Sequence, residues 1–567
     1  MRVAFSLLLS VFCFHLQAQQ VKLDDIKRDF SKDKFFKING GVSANSICNF
    51  ENGSSAYEPF NYFINGNLSI NIASLVDLPF SFALTNSGSN MTYPTLPNRF
   101  SLHPSYKWIS AHVGDVSMNF SPYTLSGHQF TGVGIDFSPP GCLKGSIMYG
   151  RLQRKVEYDT IQKQIPAAYK RMGYGAKLRY DKKDFYIGSS YLHTYDDLNS
   201  LKWKPDSLGI LPQKNTAANW EFGIKPLKNF QLSAEYALSM LTRDVRAAER
   251  KENLFDLLFG LKTSTSNYDA YKFNAGYQFL KSVIGVGYER VSSGYKTLGA
   301  YYSNSDFENF TTNFSTILFK DKVNFSTNIG LEHNDLENSN DRKTSRLVGS
   351  LNITYNPIKS INITGSYSNF QTHSNAKSQF DYINQTSPTE NLDTLNFEQV
   401  SQNGTFSVMY QLEQSEKRTQ SFNANVNYQI ASDKQGGVVL PNNSNSLANA
   451  SIAYAVQFIP QSININTTFN ITQNQTGQTQ TTMVGPTISV STKLLKKVMT
   501  IGFSSAYNVS ESDGVICSSV FNGRFNVGYL LLKKHNFILS GLYHKVNTIF
   551  QPSKYSININ TTYSYSF

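Results

Sequence analysis

Residues 554–567 end the chain with the stretch KYSININTTYSYSF. Its odd positions are apolar or aromatic apart from one threonine: Tyr555, Ile557, Ile559, Thr561, Tyr563, Tyr565 and Phe567. Its even positions are Lys, Ser, Asn and Thr. Successive side chains of a β-strand point to opposite faces. The stretch therefore predicts a strand with one apolar face and one wet face.

The same alternation recurs along the chain, for example in residues 323–331, 422–430 and 463–472. In residues 422–430, Phe422, Val426 and Tyr428 alternate with asparagines. A strand of a lipid-embedded barrel turns its apolar face outward and its polar face toward the lumen. Uncharged Asn, Ser and Thr rows favour that arrangement over a strand of a soluble sheet.

The composition supports a membrane barrel. Charged residues make up 16% of the chain, against about 25% in a typical soluble domain. Aromatic residues reach 13%. No uninterrupted apolar run is long enough for a membrane-spanning helix, which needs about 20 residues. A mean hydropathy of −0.33 suits a barrel, in which only alternate residues face lipid.

The chain divides into three predicted parts. Residues 1–18 have the pattern of a signal peptide, with Arg2 before an apolar stretch and Ala18 at the cleavage point. Residues 19–35 form a short periplasmic segment, and residues 36–567 form the barrel. A lipoprotein with Cys13 as the acylated residue is an alternative, but no small-residue box precedes that cysteine. The three other cysteines imply no disulfide framework.

Short and long connections alternate along the predicted barrel. Short turns such as 181–184, 320–322 and 495–497 are assigned to the periplasm, and long polar stretches to the outside. Those long stretches are 196–214, 242–267, 291–309 and 372–397. The count is about 26 antiparallel strands with both termini in the periplasm. Pro104 interrupts one strand, which leaves 24 strands as the alternative.

Several motifs resemble known proteins. Residues 97–108 read PNRFSLHPSYKW, residues 120–128 read FSPYTLSGH, and two further patches cover 169–175 and 206–213. Over residues 60–215 the chain resembles large, poorly characterised outer-membrane β-barrel proteins of Bacteroidota. Residues 114–132 are also distantly similar to fimbrial ushers and large secretion barrels. The resemblance implies a location in the cell outer membrane rather than a particular chemistry.

Some polar and charged residues are predicted to face the lumen. They are His112, Asp136, Arg171, Lys177, Arg179, Lys272 and Glu289. Arg171, Lys177 and Arg179 share one face of a strand, and Lys272 and Glu289 are placed to pair across a hairpin. A basic wall would favour anionic solutes. The other interpretation, which we favour, is that carboxylates neutralise these cations inside the lumen.

The aromatic end of the chain is also a candidate signal. Tyr563, Tyr565 and Phe567 lie on one face of the last strand. They resemble the C-terminal signal that the outer-membrane barrel assembly machinery recognises. The other expected partners are outer-membrane lipid, lipopolysaccharide and a periplasmic or surface protein.

No catalytic, cofactor-binding or metal-binding motif is recognisable in the sequence. The net charge of +12 comes largely from lysines in short turns, so nucleic acid is not an expected partner. We therefore expect a barrel that is not an enzyme. Its leading function is a pore for transport or secretion, and the alternative is an occluded barrel that serves as a scaffold or surface-attachment protein.

The topology predicts which sites can be labelled on intact cells. A tag inserted near Ser207 or Ser387 should be reached by an impermeant reagent, because both positions lie in long external stretches. A tag at Lys182 or Lys496 should be protected, because both lie in short periplasmic turns. Labelling at Lys496 without labelling at Ser387 would reverse the orientation.

Overall fold

The computed structural model describes residues 36–52, 59–72, 75–86, 98–158, 167–203, 206, 209–251, 256, 260–334, 336, 345–369, 399–435, 438–549 and 552–567. The predicted signal peptide and N-terminal segment, residues 1–35, lie outside these described residues. Ser207 and the stretch 372–397 do so as well.

The described residues form 27 β-strand segments joined by turns and longer connections. The first thirteen segments are β1 (Phe36–Glu51), β2 (Phe60–Ile72), β3 (Val76–Thr85), β4 (Arg99–Leu102), β5 (Ser105–Tyr106), β6 (Ile109–Asn119), β7 (Ser126–Phe137), β8 (Leu143–Gln153), β9 (Arg171–Asp181), β10 (Phe185–Asp196), β11 (Lys214–Leu227), β12 (Phe230–Thr242) and β13 (Thr265–Phe279). The next seven are β14 (Ser282–Val291), β15 (Phe307–Leu318), β16 (Val323–Asn334), β17 (Ser345–Tyr355), β18 (Ile361–Ser368), β19 (Gln399–Gln414) and β20 (Arg418–Gln435). The last seven are β21 (Val438–Phe458), β22 (Ile463–Thr476), β23 (Thr479–Leu494), β24 (Met499–Ser512), β25 (Val515–Leu531), β26 (His535–Thr548) and β27 (Lys554–Ser566).

These segments form one closed antiparallel barrel. Strands adjacent in sequence pair with each other, and β27 pairs with β1 from Gly41↔Ser566 to Glu51↔Ser556. The short segments β4 and β5 both pair with β3 and β6, so they are two halves of one strand. Pro104 separates the halves because proline has no N–H for the ladder. The barrel therefore has 26 strands, which confirms the predicted fold class and the larger of the two predicted counts.

The wall is a single sheet with two different faces. On β10, Ile187 and Tyr191 point outward, and their side chains are 55% and 36% exposed. Ser190, Leu192 and Thr194 on the alternate positions are buried. The outward faces of the other strands are likewise rich in exposed apolar side chains. No helix among the described residues is long and apolar enough to cross a membrane.

Connection length differs between the two ends of the barrel. Connections at the end that carries the C terminus are short throughout, as in 319–322 and 532–534. At the opposite end, connections 197–213, 243–264 and 292–306 are long, as predicted. From β22 onward the connections at that end are short as well, for example 477–478 and 513–514. Strands up to 21 residues long exceed the 9–11 that span a bilayer, so extended hairpins replace irregular loops there.

The three C-terminal aromatic residues lie at the seam that closes the barrel. The backbone N–H of Phe567 donates to the Gly40 carbonyl at 3.1 Å. The ring of Phe567 lies 5.5 Å from that of Tyr565, measured between centroids. The Tyr563 hydroxyl lies 2.9 Å from His535 Nδ1, and its ring is 4.8 Å from Phe537. The outward face of β27 therefore continues as an aromatic row to the last residue.

Replacing Phe567 by alanine should lower the amount of folded barrel in the outer membrane. The change removes the last aromatic of the closing strand and leaves the lumen wall intact. The measurement is the quantity of heat-modifiable barrel in outer-membrane fractions. Phe503→Ala is the matched control, because Phe503 is an exposed outward phenylalanine on β24, away from the seam. Equal yields from wild type and both variants would show that Phe567 is not an assembly signal.

Candidate functional site in the barrel lumen

Residues 120–125, which join β6 to β7, fold into the barrel interior. Their side-chain hydrogen bonds with the wall are Lys177 Nζ to the Phe120 carbonyl (2.5 Å), Ser121 Oγ to Glu235 (2.7 Å), Tyr123 OH to Glu289 (2.6 Å) and Thr124 to Ser190 (3.1 Å). The wall residues in these pairs belong to β9, β12, β14 and β10. A six-residue connection anchored at both ends reaches no more than about 10 Å. The wall from β6 to β14 therefore curls tightly around it.

A second connection, residues 292–306 between β14 and β15, packs against the first. Its contacts include Tyr295 OH to the Tyr123 carbonyl (2.7 Å), Thr297 Oγ1 to the Thr124 carbonyl (2.7 Å) and Ser126 N–H to the Gly299 carbonyl (3.0 Å). It is also held by the wall, because Ser239 donates to the Lys296 carbonyl and Leu298 N–H donates to Asn215. We call the wall from β6 to β14 together with these two connections the filled lobe.

The inside of the filled lobe is a packed apolar core. One cluster of buried residues comprises Val116, Met118, Phe120, Leu125, Phe130, Met148, Leu152 and Leu192. Two glycines make room for it. A Cβ on Gly299 would lie 2.2 Å from the Leu192 side chain, and one on Gly175 would lie 2.9 Å from the Phe120 ring. Packing this close fixes both connections against the wall.

Two buried tyrosines link the first connection to the wall and the two connections to each other. Burial raises the pKa of Tyr123, and the neighbouring Glu289 carboxylate raises it further. Burial likewise raises the pKa of Tyr295. Both phenols therefore stay neutral and donate hydrogen bonds, Tyr123 to Glu289 and Tyr295 to the Tyr123 carbonyl. A phenolate at Tyr123 would repel Glu289 inside this low-dielectric core.

Most of the residues predicted to face the lumen are members of ion pairs. The nitrogen–oxygen distances are Arg171–Asp196 2.7 Å, Arg179–Asp181 2.7 Å, Arg179–Glu221 3.3 Å, Lys177–Glu221 3.5 Å and Lys272–Glu289 2.9 Å. The other two, His112 and Asp136, are hydrogen-bonded to each other at 2.8 Å. The pairs lie on the faces opposite the exposed apolar side chains. Each cation of the predicted basic wall thus has a carboxylate beside it. This geometry favours the interpretation that carboxylates neutralise these cations inside the lumen over the interpretation of an unpaired basic wall.

A row of hydrogen-bonded side chains crosses four neighbouring strands of the same wall, where β4 and β5 count as one strand. Ser146 donates to Asp136 at 2.5 Å, Asp136 contacts His112 Nε2 at 2.8 Å, and His112 Nδ1 lies 2.8 Å from His103 Nδ1. His103 sits at the break between β4 and β5, beside Pro104. Among the described residues, no three His, Cys, Asp or Glu side chains converge to hold a metal ion.

The inward side of β18–β27, β1 and β2 is different. We call this stretch of wall the polar sector. Its inward positions are mainly Asn, Ser and Thr, joined across strands by bonds such as Thr364–Ser407 (2.6 Å) and Asn449–Thr472 (3.1 Å). Arg524 is a charged inward residue in the middle of β25. A groove of about 330 Å³ lies on this wall, and the polar side chains that line it are Gln411, Gln414, Thr419, Ser421, Gln457, Asn464 and Asn466.

The inward fold of the two connections was not predicted from the sequence. Residues 291–309 are expected above to form a long external stretch, and this connection does join the wall at that end. Its middle, however, packs inside the barrel. The signal in the sequence is weak: Tyr295, Thr297, Leu298 and Gly299 form a run with little charge. The acidic partners Asp181, Asp196 and Glu221 were also missed, although each occupies an inward position of its strand.

No protein-family profile matches the chain, and no curated protein matches its sequence. The structure is similar to the P pilus usher (PapC) translocation pore, with 10% identity, 93% of this chain and 98% of that chain covered, and a TM-score of 0.36. It is similar to the FrpB iron transporter from Neisseria meningitidis, with 10% identity, 93% and 81% covered, and a TM-score of 0.37. A bacterial polysaccharide outer membrane secretin is similar over 53% of this chain and 91% of that chain, with 10% identity and a TM-score of 0.26.

The closed sheet and its apolar exterior define the class of this protein. In lipid a sheet must close so that no backbone edge is left unpaired. The 26-stranded wall meets that condition, and its outward side chains are those that contact acyl chains. The chain is an outer-membrane β-barrel protein.

Replacing Arg171 by methionine should destabilise the barrel. The side chain of Asp196 is only 3% exposed, and removing one partner of a buried pair costs about 3 kcal/mol or more. Lys144→Met is the matched control, because the side chain of Lys144 is 54% exposed in its pair with Asp181. Loss of that pair should cost below about 1 kcal/mol. The measurement is the urea midpoint of unfolding in detergent, and equal midpoints for the two variants would contradict the prediction.

Proposed function

We propose that this outer-membrane barrel is a pore for transport or secretion. The observation that supports the proposal is that inward as well as outward side chains of the polar sector are exposed. On β20 the inward Asn425 is exposed, and the adjacent outward Val426 is 50% exposed. On β22, Asn466 inside and Phe469 outside show the same arrangement. A wall that is open to water on its inner side borders an aqueous lumen.

The chemistry of the lumen suits hydrophilic cargo that carries little charge. Amides and hydroxyls of the polar sector offer hydrogen bonds without a strong field. The lumen-facing cations Arg171, Lys177 and Arg179 of the filled lobe are paired with carboxylates, so their fields are cancelled over short distances. We therefore propose weak ion selectivity, in place of the anion preference that three free cations would produce. Cargo would be accepted by polarity and size rather than by charge.

The second candidate is an occluded barrel that acts as a scaffold or surface-attachment protein. The filled lobe favours it, because two connections already occupy part of the interior. In either case we propose no enzymatic activity and no nucleic-acid partner. Outer-membrane lipid, lipopolysaccharide, the barrel assembly machinery and a periplasmic or surface protein remain proposed partners. Kinship with Bacteroidota barrels likewise stays a prediction.

Single-channel recording in planar bilayers distinguishes the two functions. The wild-type barrel should give stable, ion-passing openings with little preference between anions and cations. A variant in which residues 295–304 are replaced by a short Gly-Ser linker should conduct more, because it removes one of the two connections of the filled lobe. Gly276→Ala is a matched control on the β13 wall, since a Cβ there meets only Gln231, at 3.5 Å. A silent wild type that conducts only after the deletion would support the occluded scaffold and refute the pore.

A further inference from the structure

The hydrogen-bonded row Ser146–Asp136–His112–His103 is not marked by any sequence motif. His103 and His112 are nine residues apart, with no Cys or further His at metal-ligand spacing around them. The β4/β5–β6 hairpin brings their rings together, with centroids 5.0 Å apart at an interplanar angle of 72°. His112 occupies an inward position of β6, opposite Gly134 on β7. His103, at the break between β4 and β5, contacts the same inward ring.

The hydrogen-bond roles in this row follow from its chemistry. An ionised carboxylate only accepts hydrogen bonds, so the His112 Nε2–H donates to Asp136. In the neutral ring His112 Nδ1 is then an acceptor, and its lone pair points at His103 Nδ1, 2.8 Å away. His103 Nδ1 supplies the proton between the two rings. Two imidazole nitrogens are thus aimed at one point that a proton now occupies.

We propose that His103 and His112 form a binding site for a borderline transition-metal ion such as Zn²⁺ or Cu²⁺. The proton between the two Nδ1 atoms moves through water to His103 Nε2, so that both Nδ1 lone pairs face the ion. A tetrahedral ion with bonds of 2.0–2.1 Å separates two ligand nitrogens by about 3.3 Å, so the rings need to part by about 0.5 Å. They also need to turn, because the ion lies to one side of the line that joins the two nitrogens. Imidazole ligands suit Zn²⁺ and Cu²⁺, whereas Ca²⁺ and Mg²⁺ require oxygen ligands.

The surroundings of His112 match those of known metal-binding histidines. Such histidines usually donate their other ring nitrogen to a carboxylate, which fixes the ring and its tautomer. Asp136 has that place behind His112, and Ser146 in turn holds Asp136. Asp136 also supplies a negative charge beside the ion. Only two protein ligands are offered, so water or a cargo group completes the coordination.

An ion in the lumen can reach the site. The side chains of His112 and Asp136 are 18% and 44% exposed. Both lie on the inward face, so access is from the lumen and not from lipid. The inference does not depend on whether the barrel conducts, since a scaffold with a wet interior would offer the same two nitrogens.

The test is metal binding by the full-length barrel in detergent, purified without a polyhistidine tag. Titration with Zn²⁺ by calorimetry should show one ion per barrel, and Cu²⁺ should give an electron paramagnetic resonance signal with nitrogen coupling. His103→Gln and His112→Ala should each abolish both signals. Asp136→Asn keeps both ligands and should weaken binding by about 10–100-fold, the usual effect of losing a partner of this kind. His544→Ala, at another inward histidine, should leave binding unchanged.

Heat-modifiable migration on gels establishes that each variant is folded. If His112→Ala does not fold, His103→Gln decides the matter, because His103 lies at a break in the ladder rather than within it. The proposal is overturned if the wild type binds neither ion at millimolar concentration. It is also overturned if binding survives His103→Gln, or if His544→Ala reduces binding as much as the substitutions at the proposed site.

Discussion

The structure depends on the need to pair every backbone N–H and C=O group in a solvent that offers no hydrogen bonds. An unsatisfied group in hydrocarbon costs several kcal/mol, so a membrane sheet cannot have a free edge. The pairing of β27 with β1 removes the last edge. Closure of an antiparallel sheet also requires an even number of strands with both ends of the wall on one side. The strand broken at Pro104 preserves this parity, because β4 and β5 together occupy one position.

Because the wall is a single sheet, the sequence identifies its strands and the face that each side chain occupies. Each strand residue faces one of two solvents, so period-two alternation identifies strands and their outward faces without knowledge of any distant contact. This is why β27, β20 and β22 could be predicted from residues 554–567, 422–430 and 463–472. Short turns then fix which strands are neighbours. The pairing of Lys272 with Glu289 follows from the same hairpin logic, and the structure places them 2.9 Å apart.

The filled lobe could not be predicted in this way, because its contacts join residues far apart in sequence. Tyr123 and Glu289 are 166 residues apart, yet their side chains are hydrogen-bonded. A connection that packs inside a barrel and one that stands outside differ only slightly in composition, and alternation does not apply to either. The Arg179–Glu221 pair depends on the register across three consecutive strands, β9, β10 and β11. His103 and His112 meet because of a local break in pairing, which Pro104 signals without indicating where the side chain will point.

The two parts of the wall place charge in different dielectric surroundings, which explains their different compositions. Inside the filled lobe, packed apolar side chains displace water, so an unpaired cation would be costly, and Arg171, Lys177 and Arg179 are each matched by a carboxylate. In the polar sector, inward side chains are exposed, and water in an open lumen would screen charge beyond about 8 Å at physiological salt. Selection for charge pairing is weak there, and neutral amides and hydroxyls are enough to keep the wall wet. The proposed metal site lies at the margin of the lobe, at the break between β4 and β5 and on β6 and β7, where Asp136 is partly exposed. At such a margin, neighbouring side chains hold a histidine pair in one geometry, and partial exposure lets an ion reach it.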